Sequence, residues 1–155
     1  MRIAELLRPD AVIADLGGRT APEVLAELCR PLGAATGLEP GRLVQVLLDR
    51  ERLGSTGIGE GVAIPHGKLG GLPGIVAALG RSRAGVDFRS IDGQPARLIL
   101  ALFAPEQSAG AHLQALARVS RLFRLPALRE ALLAAPDAAA MVRLLTAEEA
   151  REEVR

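Results

Sequence analysis

Apolar positions recur along this chain at two spacings, and the spacing changes near the middle. In the first third, Val24, Leu25, Leu28 and Leu32 follow three- and four-residue steps, which predicts a helix buried on one face. Thr20, Pro22 and Glu23 stand at its start as N-cap, early-turn proline and capping-box acid. Gly33 or Gly37 is expected to end it. Pro40 opens a second helix with Leu43, Val46 and Leu47 on its inner face, stopping near Leu53-Gly54. Ahead of these, residues 3–7 make at most a short helix ended before Pro9, and Ala11–Ile13 reads as a short strand.

From residue 62 the period shortens. Val62–Ile64, Ile75–Leu79 and Arg97–Phe103 read as strands, and Val86–Phe88 as a short edge strand before a turn at Asp92-Gly93. The segment RLILALF is apolar almost throughout, as a central strand covered on both faces should be. Helical spacing returns over Ala109–Phe123, Pro126–Leu133 and Asp137–Leu145. Helices at both ends with strands between them predict an α/β three-layer sandwich. Its mixed sheet of about five strands is flanked by helices on both faces. A single domain is expected over 1–147, with 148–155 as a charged tail that frays.

Composition narrows the function. At 155 residues and 49% apolar, the chain can build one core without disulfides or metal. Its lone cysteine, Cys29, excludes an internal disulfide and fits a reducing compartment. No run approaches ~18 apolar residues, and acids come too early for a signal peptide, so a cytoplasmic location is expected. Basic and acidic residues nearly balance, 19 against 18, and aromatics make up 2% of the chain. Both facts argue against nucleic acid as a partner. Imidazole chemistry is confined to His66 and His112, and Lys68 is the single lysine.

The segment RERLGSTGIGEGVAIPHGK, Arg50 to Lys68, concentrates the chemical candidates. Its glycine loop lacks the Gly-Lys-Ser/Thr ending of a phosphate-binding P-loop. It also follows a helix and enters a strand, the reverse of a dinucleotide fingerprint. It reads as too glycine-rich for the interior of a helix or strand. His66 lies between Pro65 and Gly67, just past a strand. It is a candidate nucleophile or general base, the alternative being a turn histidine without a role. Arg50 continues the inner stripe of its helix and can meet phosphoryl oxygens, or simply complement the helix C-terminus. His112 shares a helix face with Leu116, Val119 and Phe123. The positive end of that helix favours its neutral form. Ser55, His66 and Asp49 could sketch a hydrolase triad, but no G-x-S-x-G elbow is present. Two histidines 46 residues apart without paired cysteines give too few ligands for a metal, so no metal and no cofactor are expected.

This segment closely resembles the active-site signature of mannitol/fructose-type (type 2) IIA domains of the bacterial phosphoenolpyruvate-dependent phosphotransferase system. The form GSTGIGEGVAIPHGKL looks most like the nitrogen-regulatory members of that group. The likeness continues through VDFRSIDGQPARLILALFAPEQSAGAHLQALARVSRLF. The resemblance implies a transferase component that carries a transient phosphohistidine. His66 would accept the phosphoryl group on Nε2 from the phosphocarrier HPr or its nitrogen-branch counterpart NPr. Arg50 and His112 would stabilise it, with the loop at Ser55, Thr56, Gly57 and Gly59 contributing N–H groups. An Nδ1–H bonded to a backbone carbonyl would leave Nε2 free. Ile58, Val62 and Ile64 are expected to form an apolar docking surface, and Lys68 to add positive potential or stay solvated. Regulatory targets such as a potassium transporter or a sensor kinase would follow, with no membrane-embedded part. The competing readings are a sugar-specific IIA component that passes phosphate to a IIB domain, and a non-catalytic interaction domain on the same fold.

Overall fold

The computed structural model describes residues 2–154. A four-residue helix α1 (Ile3–Leu6) leads directly into β1 (Leu7–Ile13). Two helices follow, α2 (Ala21–Thr36) and α3 (Pro40–Arg52). The Thr20 hydroxyl accepts from the Glu23 N–H while the Glu23 carboxylate takes the Thr20 N–H, a complete capping box. Gly37, at φ 76°, supplies the left-handed residue that ends α2.

The middle of the chain forms β2 (Gly57–Gly59), β3 (Val62–Ala63), β4 (His66–Leu69), β5 (Val76–Val86) and β6 (Ala96–Pro105). They build a mixed sheet in the order β1-β5-β6-β3-β2, with β4 also paired to β6. β5 and β6 are antiparallel, whereas β1 on β5 and both β3 and β4 on β6 are parallel. Three expectations change here. Val86–Phe88 is not a separate edge strand, because Val86 is the last residue of the inner strand β5, opposite Ala96. Part of the glycine loop, Gly57–Gly59, is itself a strand, antiparallel to β3. And Pro65-His66-Gly67 does not stop the sheet, because His66 opens a new pairing opposite Leu102. β3 and β4 keep one register against β6, Val62 on Leu98 and His66 on Leu102, so they are one strand interrupted at Ile64-Pro65. The interruption follows from Pro65 having no N–H to donate, although its carbonyl still accepts from the Leu102 N–H at 2.9 Å. Counted this way, the sheet has the five expected lanes.

Side chains of β6 alternate between two cores. Leu98, Leu100 and Leu102 join α4 (Ala109–Phe123), α5 (Pro126–Ala134), α6 (Ala138–Val154) and α1 on one face. Ile99, Ala101 and Phe103 join α2 and α3 on the other. This is the predicted three-layer α/β sandwich. The expected tail at 148–155 is instead helical through Val154, with Glu148 and Glu149 buried. Glu149 explains it, since its carboxylate accepts the Ile3 and Ala4 N–H groups at 2.8 Å each and pairs with Arg118 Nε at 2.9 Å. Arg81, also buried, donates to the carbonyls of Ala14, Leu132 and Ala135 at 3.0, 2.9 and 2.6 Å. It thereby closes the C-terminal end of α5, where a cation is favoured. Among the described residues, no helix is long and apolar enough to cross a membrane.

Candidate active site

His66 stands at the first position after the break in the β3–β4 strand, half-buried. Its Nδ1 lies 2.7 Å from the Ile64 carbonyl oxygen. A carbonyl only accepts, so Nδ1 carries the proton and the neutral ring presents Nε2 with a bare lone pair. Gly67 is required beside it, because a Cβ there would lie 2.5 Å from Val46 Cγ1 of α3. Its missing side chain lets α3 close onto β4, and one turn beyond Val46 that helix carries Arg50. Burial pushes the His66 pKa below the ordinary imidazole value, and the Arg50 charge pushes it further. The Ile64 carbonyl partly opposes both.

His112 reaches the site from the opposite face of the sheet. It lies in the first turn of α4, whose N-cap Ser108 makes no side-chain capping bond. The ring is 6% exposed, and its centroid is 5.6 Å from that of His66, with the planes inclined at 69°. Its Nε2 is buried without a hydrogen-bond partner. Such an atom ordinarily costs about 1–3 kcal/mol. Burial, then the charges of His66 and Lys68, lower its pKa too, so both rings are neutral near pH 7. Lys68 is exposed on β4, two residues beyond His66 and hence on the same side of the strand. Arg50 donates from Nη1 to the Gly54 carbonyl at 2.9 Å. Helix α3, strand β4 and helix α4 thus bring two imidazoles together, with the Arg50 charge acting on His66 and the Lys68 charge on His112.

The loop before β2 behaves differently from the expectation. The Thr56 N–H is 3.2 Å from the Glu51 carboxylate, which also accepts from the Thr56 hydroxyl. The Gly57 N–H is bonded to Ser55 Oγ at 2.9 Å, and the Ser55 hydroxyl donates to the Phe88 carbonyl. The N–H groups of Thr56 and Gly57 therefore hold the loop in shape rather than standing open for an anion. Gly59 lies at the far end of β2 beside the Asp92 carboxylate. Of the three residues expected to form a docking surface, Ile58 is exposed, but Val62 and Ile64 are 1% and 3% exposed and belong to the core. Their side chains fall in the core that α4, α5 and α6 build on one face of the sheet. The exposed apolar side chains nearest the site residues in sequence are Leu53, at the end of α3, and Leu113, next to His112. The sequence reading missed both, as it missed Glu51. The well-formed surface clefts lie elsewhere. Two that share Glu60, Pro126 and Arg129 run between the β2–β3 turn and α4–α5. Neither is lined by His66, Arg50 or His112.

Two neighbouring imidazoles, with the Arg50 charge acting on one of them, lie outside those clefts. Residues 5–148 match the family described as "Phosphoenolpyruvate-dependent sugar phosphotransferase system, EIIA 2", and the chain belongs to it. It is a phosphocarrier domain of the IIA type. A nitrogen regulatory protein of Bradyrhizobium diazoefficiens is 41% identical over 94% of this chain and 95% of its own length. The fructose-specific EIIABC component of Bacillus subtilis is 36% identical over 94% of this chain, which spans 23% of that longer protein. Among solved structures, the nitrogen regulatory protein IIA-Ntr of Neisseria meningitidis superposes with a TM-score of 0.87 at 33% identity. That match covers 92% of this chain and 98% of the other. Mannitol IIA of Escherichia coli, at 23% identity and a TM-score of 0.75, shares the fold.

Proposed function

We propose that His66 accepts a phosphoryl group at Nε2 from the phosphohistidine of an HPr- or NPr-type carrier, and that the protein regulates other proteins through its phosphorylation state. The observation that carries this reading is the His66 ring with its proton fixed on Nδ1, facing a buried His112 whose Nε2 has no partner. In the transfer, the P–N bond to the donor histidine breaks as one forms to His66 Nε2. A donor ring protonated on its second nitrogen leaves as neutral imidazole. The positive charge passes to the His66 ring, where the Ile64 carbonyl stabilises the Nδ1–H. Such transfers need positioning and neutralisation of the equatorial oxygens more than covalent help. Arg50 supplies charge, and His112, protonated on Nε2, supplies a donor that loses nothing by giving up a prior bond. Leu53 and Leu113, exposed and next in sequence to the end of α3 and to His112, are the candidates for apolar contact with the carrier.

The regulatory role draws on likeness to nitrogen regulatory proteins along nearly their whole length. Its targets would sense the roughly two negative charges added by the phosphoryl group; a potassium transporter or a sensor kinase is a candidate. The likeness to a fructose-specific component favours a second reading, in which a IIB domain takes the phosphate for sugar uptake. The test is incubation with phosphoenolpyruvate, enzyme I and HPr, followed by detection of an acid-labile phosphoimidazole. His66→Ala should remove the label, and a labelled variant would refute the assignment. Rapid discharge to an isolated fructose IIB domain would replace the regulatory reading with the transport one.

A further inference from the structure

Phosphoryl acceptance at Nε2 requires that nitrogen to be bare. An imidazole free in water places its proton on Nε2 more often than on Nδ1, so the site must invert an intrinsic preference. The Ile64 carbonyl does this, at 2.7 Å from Nδ1. What holds that carbonyl in place is a run of contacts leading back to α3. The Ile64 N–H donates to the Thr56 carbonyl at 2.9 Å. Thr56 is 4% exposed, and its N–H lies 3.2 and 3.3 Å from the two oxygens of the Glu51 carboxylate. Its hydroxyl donates to the same carboxylate. Thr56 is therefore fastened on both sides, and the Ile64 residue hangs from it.

Glu51 is poorly placed for its own stability. It sits in the last turn of α3, at the negative end of the helix dipole. It is also partly withdrawn from water, which raises its pKa against the opposing effects of the Thr56 N–H and the Arg50 charge. Arg50 itself ties the Gly54 carbonyl to the same turn. Adjacent residues of one helix end thus clamp the loop at Gly54 and at Thr56.

We propose that Glu51 is a positioning residue for phosphoryl transfer: through Thr56 it sets the direction of the Ile64 carbonyl, and so keeps the His66 proton on Nδ1. The inference rests on His66 being the acceptor, but its signature does not require transfer to be observed. The link is mechanical, since the N–H and C=O of Ile64 belong to different peptide groups.

The ring 15N signals of His66, assigned against a His66→Ala sample, report the tautomer directly. Wild-type protein should show the Nδ1–H form above the ring pKa. Glu51→Ala should populate the Nε2–H form and slow single-turnover phosphoryl uptake from phospho-HPr by on the order of tenfold, the scale of a small misplacement at a reacting atom. The dependence of the rate on donor concentration should not change. Glu51→Gln should recover both readouts, because its amide oxygen can accept from Thr56. A folded Glu51→Ala with the wild-type tautomer and rate overturns the proposal. If that variant does not fold, Thr56→Val decides: it should shift the tautomer in the same direction, and a wild-type tautomer there overturns the proposal as well. If wild-type protein takes no phosphoryl group, the acceptor reading fails, while the tautomer comparison still decides the role of Glu51.

Discussion

Glu149 and Glu51 are both carboxylates that grip a neighbouring segment, and both lie beside residues that matter to helix α4. Glu149 takes two N–H groups of α1 and the guanidinium of Arg118 in α4. Glu51 takes the N–H and hydroxyl of Thr56 and stands behind His66, which meets His112 of α4. The corner around Glu149 is closed: the carboxylate, the α1 donors and Arg118 Nε all have partners. The corner around the histidines is left open at His112 Nε2 and at the bare lone pair of His66. One helix thus serves a saturated corner and an unsaturated one, where a buried ring nitrogen without a partner costs stability.

The contrast can be broken most completely at His66. His66→Ala should abolish phosphohistidine formation while lowering unfolding free energy in urea by about 1 kcal/mol or less, the worth of one hydrogen bond. Next in size is Glu149→Ala. It removes the partner of the Ile3 and Ala4 N–H groups and leaves Arg118 only its 3.9 Å contact with Glu153, and should cost about 3 kcal/mol. Phosphoryl uptake per folded molecule should keep its rate. A loss of rate without a loss of stability would mean that the two corners are not separate. His112→Leu exchanges the unpartnered ring for an apolar side chain of similar reach. Uptake should slow by on the order of tenfold, and stability should hold or rise by about 1 kcal/mol. A clear loss of stability would show that the imidazole is structural.

The smallest effect is on pH dependence. Both histidines are held below the ordinary value of about 6.5. As pH falls below that value the unfolded chain takes up protons before the folded one, so stability falls until the folded pKa values are passed, then levels off. The double variant His66→Ala, His112→Leu should lose this slope in a series of urea titrations. At the alkaline end the sign reverses. Burial raises Cys29 to about 12, so the unfolded thiol ionises first and stability falls as pH rises above its ordinary value.

Local signals on the chain were readable where one short stretch decides the outcome. The capping box at Thr20 and Glu23, the opening proline of α3 and the full span of α4 all follow from neighbouring residues. Arg50 and His66 stand in one long motif, and His112 is the one other histidine of the chain, which leaves few alternatives. What escaped was decided across the fold. Pro65-His66-Gly67 looks like a stop, but β6 offers the same register on both sides of the proline. Val62 and Ile64 look available beside His66, but their side chains fall in the core shared with α4. Glu148 and Glu149 look like solvent charges until α1 brings donors to Glu149. Thr56 reads as part of a phosphate loop, and only the geometry shows its N–H already bonded to Glu51.

The bond network of α6 also fixes where the chain enters and leaves. Arg2 Nε donates to Glu153 Oε1 at 2.7 Å, so residues 2 and 153 touch. A domain whose ends meet can be spliced into a loop of another protein through two short linkers, or have its ends joined and a new opening cut elsewhere. The exposed turn at Ile91–Gly93 is a suitable place for that opening. The order in which the elements are strung together is therefore separable from the arrangement that makes the site.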